Sequence, residues 1–326
     1  MKKILLLLLC FLSILQSCSM GGWTTYKIEE SNSPKNDIWS ICFDKQGGLW
    51  VGTNYGIYKN EGGKWVAQHV ENIYVQTLFI DDKDTKWAGH YGGGVYKCDD
   101  GKNWENLKDA SPANSVNVIT SDKKGNIWLG GWGGCDVKLD EKGELDVSNK
   151  TGGAMNYKGK QWVSYKADQV NLGDNNVTSI VCDPKDRIWF GTYHGLSMLS
   201  NGIWTLYNKQ NSILPSNDIY SLASDRKGII WVGTCNGLVK ISGSKWIVYN
   251  KENSGLSCDL ILSLATDANG RVWAGTNKGA FFFDGTKWTN FTIENSGLAD
   301  NRVQTIVVIK NKVYFGTSNG ISVYEP

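Results

Sequence analysis

The sequence predicts an all-β fold, a seven-bladed β-propeller in which each blade is a four-stranded antiparallel sheet. Three observations predict it: a ten-residue phrase recurs along the chain, a Gly stands at a fixed distance before a Trp in successive units, and no stretch keeps a helical period. Self-similarity at a period of about 40 residues is typical of solenoids and propellers. The elements of one unit, and the two ends of the chain, decide between these.

The repeated phrase is clearest at residues 225–234, which read Asp-Arg-Lys-Gly-Ile-Ile-Trp-Val-Gly-Thr. Further copies start at Asp44, Asp122, Asp183 and Asp267, and degraded copies occupy residues 81–89 and 309–317. After a copy, a Gly stands nine residues before a Trp that is followed three residues later by an aromatic residue, as in Gly195, Trp204 and Tyr207. Seven units can be counted in this way.

One unit contains four short β-strands, which in the fifth unit are residues 219–223, 230–232, 238–241 and 245–249. These segments are apolar and rich in β-branched or aromatic residues, and turn residues separate them. Asp225 begins the first turn, where its carboxylate can accept hydrogen bonds from backbone amides two and three residues further along. Because four short strands cannot bury both faces alone, the sheets must stack, and radial closure gives a propeller. The repeated Trp and aliphatic residues are expected to fill the space between blades.

The two ends of the chain favour a closed ring. The last unit stops after its third strand, whereas residues 23–26 stand alone before the first unit begins at Ile38. Trp-Thr-Thr-Tyr at 23–26 matches Trp-Thr-Leu-Tyr at 204–207, which is a fourth strand. We therefore expect the N-terminal strand to complete the seventh blade and cover an edge that would otherwise be exposed.

These phrases, of the form Asn-x-Ile-x-Ser-Ile, Asp-x-x-Gly-x-Ile-Trp-x-Gly-Thr, Gly-Leu and Trp-x-x-Tyr, resemble the two-component regulator propeller repeats. The resemblance covers nearly all of residues 23–326. It implies a relationship to periplasmic sensor regions of hybrid histidine kinases in Bacteroidetes-type bacteria, whose propellers are associated with recognising glycans. Those kinases typically add a second propeller, a further β-domain, a membrane span and kinase modules. We expect a stand-alone propeller here, because this chain ends at Pro326.

Residues 1–17 are expected to be a lipoprotein signal peptide. Lys2 and Lys3 precede an apolar run at residues 4–15, which is too short for a permanent membrane span. Residues 15–18 read Leu-Gln-Ser-Cys and resemble a lipobox, in which Cys18 becomes the lipidated first residue. An ordinary cleaved signal peptide is the alternative. Residues 18–22 would be a lipid-anchored tether, and the uncharged Ser19 favours the outer membrane, with the protein facing the periplasm.

Net charge excludes one class of partner. Without Lys2 and Lys3 the chain has 32 basic and 32 acidic residues, so it offers no general attraction to nucleic acid or to anionic lipid. A monomer is expected. Six thiols remain after Cys10 and Cys18, at positions that differ between repeats and that match neither a disulfide framework nor a metal site. We expect free thiols, with one disulfide as the alternative, at Cys42, Cys98, Cys135, Cys182, Cys235 and Cys258.

A ligand site is predicted on the face that carries the turns between second and third strands. The first four blades present aromatic residues and two histidines there, and the last three present amides and a lysine. Such a surface suits a sugar ring, whose apolar face stacks on aromatic rings while its hydroxyls need donors and acceptors. The alternative is that the aromatic residues only cover turn backbone. The predicted ligand-binding residues are Tyr55, His90, Tyr91, Trp132, Tyr193, His194, Asn236 and Lys278. Polar residues near the starts of innermost strands are expected to point to the same mouth: Asp37, Asn117, Asn176, Asp218, Asp259 and Arg302.

The third unit carries an insertion. Because Gly153 lies nine residues before Trp162, the common spacing, the insertion is placed at 132–152, between second and third strands and on the predicted binding face. An alternative alignment starts the third strand at Gly134 and moves the insertion to the opposite face.

Catalytic patterns are sparse, and no cofactor or metal site is predicted. His69 is expected at the end of a fourth strand, whereas His90 and His194 are expected in turns two blades apart, so the three are not predicted to form a metal triad. The repeated Asp residues are interpreted as turn caps on the opposite face. The predicted function is therefore a non-catalytic cell-envelope binding or sensing module for a carbohydrate or an envelope protein. The alternatives are a propeller lyase or glycosidase acting on glycans or small molecules, which would need His90 and His194 with Glu141 or Glu144, and a pure scaffold.

Overall fold

The computed structural model describes residues 22–29, 34–68, 73–107, 115–132, 138–139, 145–146, 152–158 and 161–325. The predicted signal peptide, the predicted lipidation site Cys18, and most of the insertion at 132–152 lie outside the described residues. In the parts of the chain that the structure describes, no helix is long and apolar enough to span a membrane.

Seven antiparallel sheets of four strands confirm the predicted propeller, and in each of the first six the strands lie in chain order from the axis outward. Blade 1 contains β2 (Ile38–Phe43), β3 (Leu49–Thr53), β4 (Gly56–Glu61) and β5 (Lys64–Ala67). Blade 2 contains β6 (Val75–Ile80), β7 (Lys86–His90), β8 (Gly94–Cys98) and β9 (Glu105–Asn106). Blade 3 contains β10 (Val116–Ser121), β11 (Ile127–Gly131), β14 (Gly153–Lys158) and β15 (Gln161–Tyr165).

The remaining blades follow the same plan. Blade 4 contains β16 (Val177–Cys182), β17 (Ile188–Thr192), β18 (Gly195–Ser200) and β19 (Ile203–Tyr207). Blade 5 contains β20 (Ile219–Ser224), β21 (Ile230–Thr234), β22 (Gly237–Ser242) and β23 (Lys245–Tyr249). Blade 6 contains β24 (Ile261–Thr266), β25 (Val272–Thr276), β26 (Gly279–Phe283) and β27 (Trp288–Phe291). Blade 7 contains β28 (Val303–Ile309), β29 (Lys312–Thr317), β30 (Gly320–Tyr324) and the N-terminal β1 (Trp23–Tyr26).

The N-terminal strand closes the ring, as the sequence predicts. Strand β1 pairs antiparallel with β30, with Trp23 opposite Tyr324 and Tyr26 opposite Ile321. The Trp23 ring stacks on Tyr324 at a centroid distance of 4.8 Å and on Phe315 at 5.5 Å. The innermost strands β28 and β2 contact each other, so blade 7 meets blade 1. Closure pairs a strand edge that would otherwise be open to solvent.

Blade 3 carries its insertion between its second and third strands. Strand β11 pairs directly with β14, with Gly131 opposite Gly153, which follows the first of the two alignments. Within the intervening segment, β12 (Lys138–Leu139) and β13 (Leu145–Asp146) form a separate two-stranded sheet.

The core lies between blades. Trp231 of blade 5 is 1% exposed and packs against Ala274 and Phe281 of blade 6. Equivalent residues between other blades are also buried: Trp50, Trp87, Trp128, Trp189 and Trp273. Burying one such side chain contributes on the order of 2–3 kcal/mol. The repeated Trp therefore holds neighbouring blades together, as predicted.

The repeated Asp caps the turn between first and second strands. Oδ1 of Asp225 accepts hydrogen bonds from the amides of Lys227 and Ile229, both at 2.9 Å. The bonded amides are therefore two and four residues along, and the expectation of two and three was wrong. Gly228 has a φ of 79° in this turn, a backbone conformation that Gly adopts at little cost.

The described cysteines are free thiols. Cys98 and Cys258 are buried, while Cys42, Cys182 and Cys235 are half-buried, and none of these five forms a disulfide. Cys135 lies outside the described residues.

Candidate functional site

The turns between second and third strands are rigid because a Thr hydroxyl bonds at both ends of each typical turn. In blade 4, Oγ1 of Thr192 donates to the carbonyl of Gly195 at 2.8 Å and accepts from the amide of His194 at 3.2 Å. Gly195 has a φ of 132°, and a Cβ there would lie 2.5 Å from the carbonyl oxygen of Tyr207. The same Thr bonds recur at Thr53, Thr234, Thr276 and Thr317. These turns therefore hold the two residues after each Thr in a fixed position.

A β-bulge shapes the start of every innermost strand. In blade 5 the register with β21 shifts between Ile219 and Ser221, which leaves Tyr220 as the extra residue. Bulges re-aim a side chain and are common next to functional sites. The equivalent bulge residues are Trp39, Gln76, Asn117, Thr178, Tyr220, Leu262 and Gln304.

Three of the bulge residues donate a side-chain hydrogen bond to a backbone carbonyl of the next blade. Oγ1 of Thr178 donates to the carbonyl of Ile219 at 2.7 Å, and Nδ2 of Asn117 donates to that of Val177 at 3.0 Å. Nε2 of Gln304 donates to the carbonyl of Ile38 at 2.9 Å. Asn117 therefore has a structural partner, while the aromatic bulge residues Trp39 and Tyr220 form part of the surface described next.

The first aromatic cluster consists of Trp39, Tyr74 and Tyr91, with Arg302 beside it. The Trp39 and Tyr74 rings are 5.2 Å apart, and the Tyr74 and Tyr91 rings 6.1 Å apart. The guanidinium of Arg302 lies 5.7 Å from the centre of the Trp39 ring. Tyr91 is 61% exposed and so offers an open aromatic face. This cluster joins blades 7, 1 and 2 at the mouth of the propeller.

Asp37 holds the first aromatic cluster in place through hydrogen bonds. Its Oδ2 accepts a hydrogen bond from Nε1 of Trp39 at 3.3 Å, and its Oδ1 accepts one from Nε2 of Gln304 at 2.8 Å. Nδ2 of Asn54 also donates to Oδ2 of Asp37. Burial, and after it the charge of Asp37, raises the pKa of Tyr74, so that hydroxyl stays neutral and can donate a hydrogen bond.

The second aromatic cluster consists of Trp132, Tyr193 and Tyr220 in blades 3, 4 and 5. The Trp132 and Tyr193 rings lie 5.8 Å apart at 80°, and the Tyr193 and Tyr220 rings 5.9 Å apart at 68°. Trp132 is 38% exposed, while the two tyrosines are half-buried. Burial raises the pKa of both Tyr193 and Tyr220. Edge-to-face rings of this kind present an apolar surface with neutral hydroxyl groups at its border.

His90 lies apart from both clusters. Its side chain is 0% exposed and its ring lies 4.6 Å from that of Tyr96. Burial lowers its pKa to about 4, and neither ring nitrogen has a hydrogen-bond partner among the described residues. His90 ends strand β7 at the position of the buried Thr53 in blade 1, so its ring faces the interior. We therefore leave it out of the candidate surface, although the sequence placed it there.

The other predicted residues border the face. His194 is exposed, and its Nδ1 lies 2.7 Å from Oδ2 of Asp174. Tyr55 is half-buried, with the ammonium of Lys35 at 5.1 Å from its ring. Asn236 and Lys278 are exposed on the matching turns of blades 5 and 6. Aromatic rings therefore concentrate on blades 1–5, and amide and lysine groups follow on blades 5 and 6.

Sequence reasoning missed three residues of these clusters, Trp39, Tyr74 and Tyr220. Their common signal is position: each lies within one residue of the buried aliphatic residue that starts an innermost strand. No metal site emerges in the described residues, where no three His, Cys, Asp or Glu side chains come together. Glu141 and Glu144, which a catalytic interpretation needs, lie outside the described residues.

Comparison with known sequences identifies the repeat. A profile of the two-component regulator propeller family matches five segments, residues 32–55, 110–133, 171–194, 213–236 and 255–278. These segments fall in blades 1, 3, 4, 5 and 6, and the unmatched blades 2 and 7 contain the degraded copies of the phrase. No curated protein matches the sequence.

Solved structures share the fold. The extracellular domain of a protein assigned as a hybrid two-component system of B. thetaiotaomicron is 24% identical, with a TM-score of 0.76, over 94% of this chain and 41% of that chain. Virginiamycin B lyase of Staphylococcus aureus is 10% identical, with a TM-score of 0.74, over 93% and 99%. PorZ, a surface component of the type-IX secretion system of Porphyromonas gingivalis, is 17% identical, with a TM-score of 0.64, over 89% and 46%. The chain thus spans less than half of the two-component relative that it matches.

Proposed function

This chain is a seven-bladed β-propeller built from two-component regulator propeller repeats, and from that premise we propose that it binds a carbohydrate at the cell envelope without catalysing a reaction. The observation that carries the proposal is the pair of aromatic clusters on one end of the ring. A sugar presents apolar C–H faces and several hydroxyls, and it needs both aromatic planes and fixed polar groups.

The geometry favours a saccharide of several sugar units and not a single sugar ring. The two clusters lie on different blades, with Tyr91 of blade 2 and Trp132 of blade 3 as the most exposed aromatic residues of the face. Asn236 and Lys278 offer donors on the turns of blades 5 and 6. Sugar units can stack on each cluster while their hydroxyls bond to these neighbouring groups.

The cell-envelope assignment rests on the N-terminal sequence. Residues 1–18 have the charge, the apolar run and the Leu-Gln-Ser-Cys ending of a lipoprotein signal, so we place the protein on the outer membrane through Cys18, facing the periplasm. The extracellular location of the two-component relatives agrees with this assignment. Metabolic labelling with a palmitate analogue checks it, because Cys18→Ser should abolish the label.

A glycan array followed by calorimetry tests the binding site. Tyr91→Ala, Trp132→Ala and Tyr193→Ala should each weaken a glycan identified on the array. Ile203→Ala is the matched control, because Ile203 is 69% exposed but lies on the outermost strand of blade 4, away from the face. If a glycan bound all three aromatic variants as tightly as it binds the native protein, these residues would not form its binding site. If no glycan bound and crosslinking captured an envelope protein, the scaffold function would be favoured instead.

A second candidate function, a lyase, rests on His194 and Asp174. Nδ1 of His194 lies 2.7 Å from Oδ2 of Asp174, an arrangement that orients an imidazole for general-base catalysis. Virginiamycin B lyase has the same fold. Turnover of an oligosaccharide or of virginiamycin B that disappears in both His194→Ala and Asp174→Asn would support this candidate. Turnover unchanged in both variants would exclude it.

A further inference from the structure

The repeated Trp is normally covered by the residue opposite it on the third strand. In blades 1, 2 and 5 that residue is a lysine, whose ammonium lies 5.0, 5.9 and 5.2 Å from the indole ring centre. In blade 6 it is Phe282, whose ring centre is 4.4 Å from that of Trp273. A cation or a ring therefore occupies the space above the indole in these blades.

Blade 3 departs from this pattern. The residue opposite Trp128 is Asn156, which is too short to cover an indole ring. A pocket of about 390 Å³ opens here between blades 3 and 4, and Trp128, Tyr165 and Trp204 are among its lining residues. Its border includes Asp122 and Asn201, from turns of the end opposite the aromatic clusters. The pocket is therefore separate from the site proposed above.

Asn156 brings an unused hydrogen-bond acceptor to the pocket. The residue is 0% exposed, and its Nδ2 donates to the carbonyl of Ile127 at 3.3 Å. Its Oδ1 is buried without a hydrogen-bond partner among the described residues. Because a buried polar atom without a partner costs about 1–3 kcal/mol, a donor supplied by a ligand or by water would be favourable here.

The charged groups around the pocket balance. Asp122 is fully engaged, since its Oδ1 accepts from the amides of Lys124 and Asn126 while its Oδ2 accepts from Nδ2 of Asn126 and Nε1 of Trp128. The ammonium of Lys124 lies 3.7 Å from Oδ2 of Asp186. Together with Asp122 and Lys158, the lining therefore has two acidic and two basic residues. An uncharged ligand fits such a lining better than an anion or a cation does.

We propose that this pocket binds one neutral hydroxylated ring of monosaccharide size. Its apolar face would stack on Tyr165 and Trp204, the half-buried aromatic residues of the lining, and one hydroxyl would donate to Oδ1 of Asn156. The volume of about 390 Å³ falls at the small end of ligand sites, which span about 300–1,000 Å³, and accommodates a single ring. This inference is independent of the proposed function, because the pocket lies at the other end of the molecule and shares no residue with the aromatic clusters.

Asn156→Lys tests the pocket, because it installs the residue that blades 1, 2 and 5 use to cover their Trp. The probes are glucose, galactose, mannose and N-acetylglucosamine, measured by saturation-transfer NMR and by calorimetry. We expect one of these sugars to bind the native protein and to bind Asn156→Lys at least about tenfold more weakly, which corresponds to one lost hydrogen bond and the filled space. Asn156→Met, which copies Met198 of blade 4, should give the same loss in a variant without an added charge.

Two control variants separate this site from the other. Met198→Lys makes the same kind of change in the neighbouring blade and should leave sugar binding intact. Tyr193→Ala reports on the other site: a sugar that binds this variant more weakly and binds Asn156→Lys with native affinity is bound at the aromatic clusters, so the two sites are distinguished. Native affinity in both Asn156 variants, or no binding of any of the four sugars to a protein with native thermal stability, would overturn the proposal.

Discussion

Oδ2 of Asp44 accepts a hydrogen bond from Nε1 of Trp50 at 2.9 Å. Asp44 is 6% exposed and Trp50 is 2% exposed, so the bond satisfies an indole N–H that has no access to water. Oδ1 of the same carboxylate accepts the amide of Gly48 in the turn. The repeated Asp therefore has two roles, because it caps the turn and anchors the Trp that packs between blades. Equivalent bonds join Asp81 to Trp87, Asp122 to Trp128, and Asp183 to Trp189.

Asp44→Ala should therefore destabilise the protein more than the same change in blade 5. Asp225 caps its turn in the same way, but Nε1 of Trp231 has no hydrogen-bond partner among the described residues. Asp44→Ala leaves the buried indole N–H unpaired and also removes the ion pair of Asp44 with Lys59 at 3.1 Å, so its cost should exceed that of Asp225→Ala by about 1–3 kcal/mol. Urea unfolding of both variants measures the difference. Equal losses would mean that the Asp contributes through turn capping alone.

Trp23→Ala should open the ring. Trp23 is 4% exposed and stacks on Tyr324 at 4.8 Å, much as Trp288 stacks on Phe283 at 4.7 Å in blade 6. Removing a large core side chain costs about 3–5 kcal/mol, and here it also weakens the strand that closes blade 7. Trp288→Ala is the comparison variant, because Trp288 is half-buried at the equivalent position and its strand stays covalently joined to its own blade, so the proteolysis pattern and not the size of the loss tests closure. Thermal melting should show the larger loss for Trp23→Ala, and limited proteolysis should release residues before Ile38 only in that variant.

The repeat made the fold predictable, whereas the residues of the candidate site depart from the repeat. Period and turn residues gave the blades and the N-terminal closure, because each depends on local pattern. Trp39 and Tyr220 were not predicted, because a bulge interrupts the alternation of inward and outward side chains in their strands. No residue type indicates a bulge in the sequence. The turn pattern predicts His90 on the surface, but His90 is buried, as is Thr53 at the same position in blade 1. The pocket at Asn156 could not be predicted from the sequence, because its walls come from two blades.

His90 should make stability depend on pH. Burial lowers its folded-state pKa from 6.5 to about 4, so the unfolded chain takes up the proton first as the pH falls. The free energy of unfolding should therefore decrease between pH 6.5 and about pH 4, by up to about 1.4 kcal/mol per pH unit. Below that window both states are protonated and this contribution becomes constant, and above it the contribution is absent.

His90→Leu isolates this contribution. Leu has a similar volume, needs no hydrogen-bond partner and does not titrate, so the variant should be at least as stable at neutral pH and should lose this part of the slope. Denaturant unfolding at several pH values measures the slope. His194→Gln is the control, because His194 is exposed and its replacement leaves the buried ring in place. A slope that is the same in native protein and in His90→Leu would show that His90 does not titrate in this window.

Tyr220→Leu should separate binding from stability. Tyr220 occupies the bulge position of blade 5, and Leu262 occupies the same position in blade 6, so the backbone there accepts a leucine. The free energy of unfolding should change by no more than about 0.5 kcal/mol, as for a substitution away from the core. Because the Tyr220 ring lies 5.9 Å from Tyr193 and completes the second aromatic cluster, glycan affinity should fall about fivefold to tenfold. Calorimetry with the glycan selected on the array measures this loss. Leu262→Ala, a change at the equivalent position of blade 6, is the control. If Tyr220→Leu bound the glycan as the native protein does, the second aromatic cluster would be part of the packing of the mouth and not of a binding site.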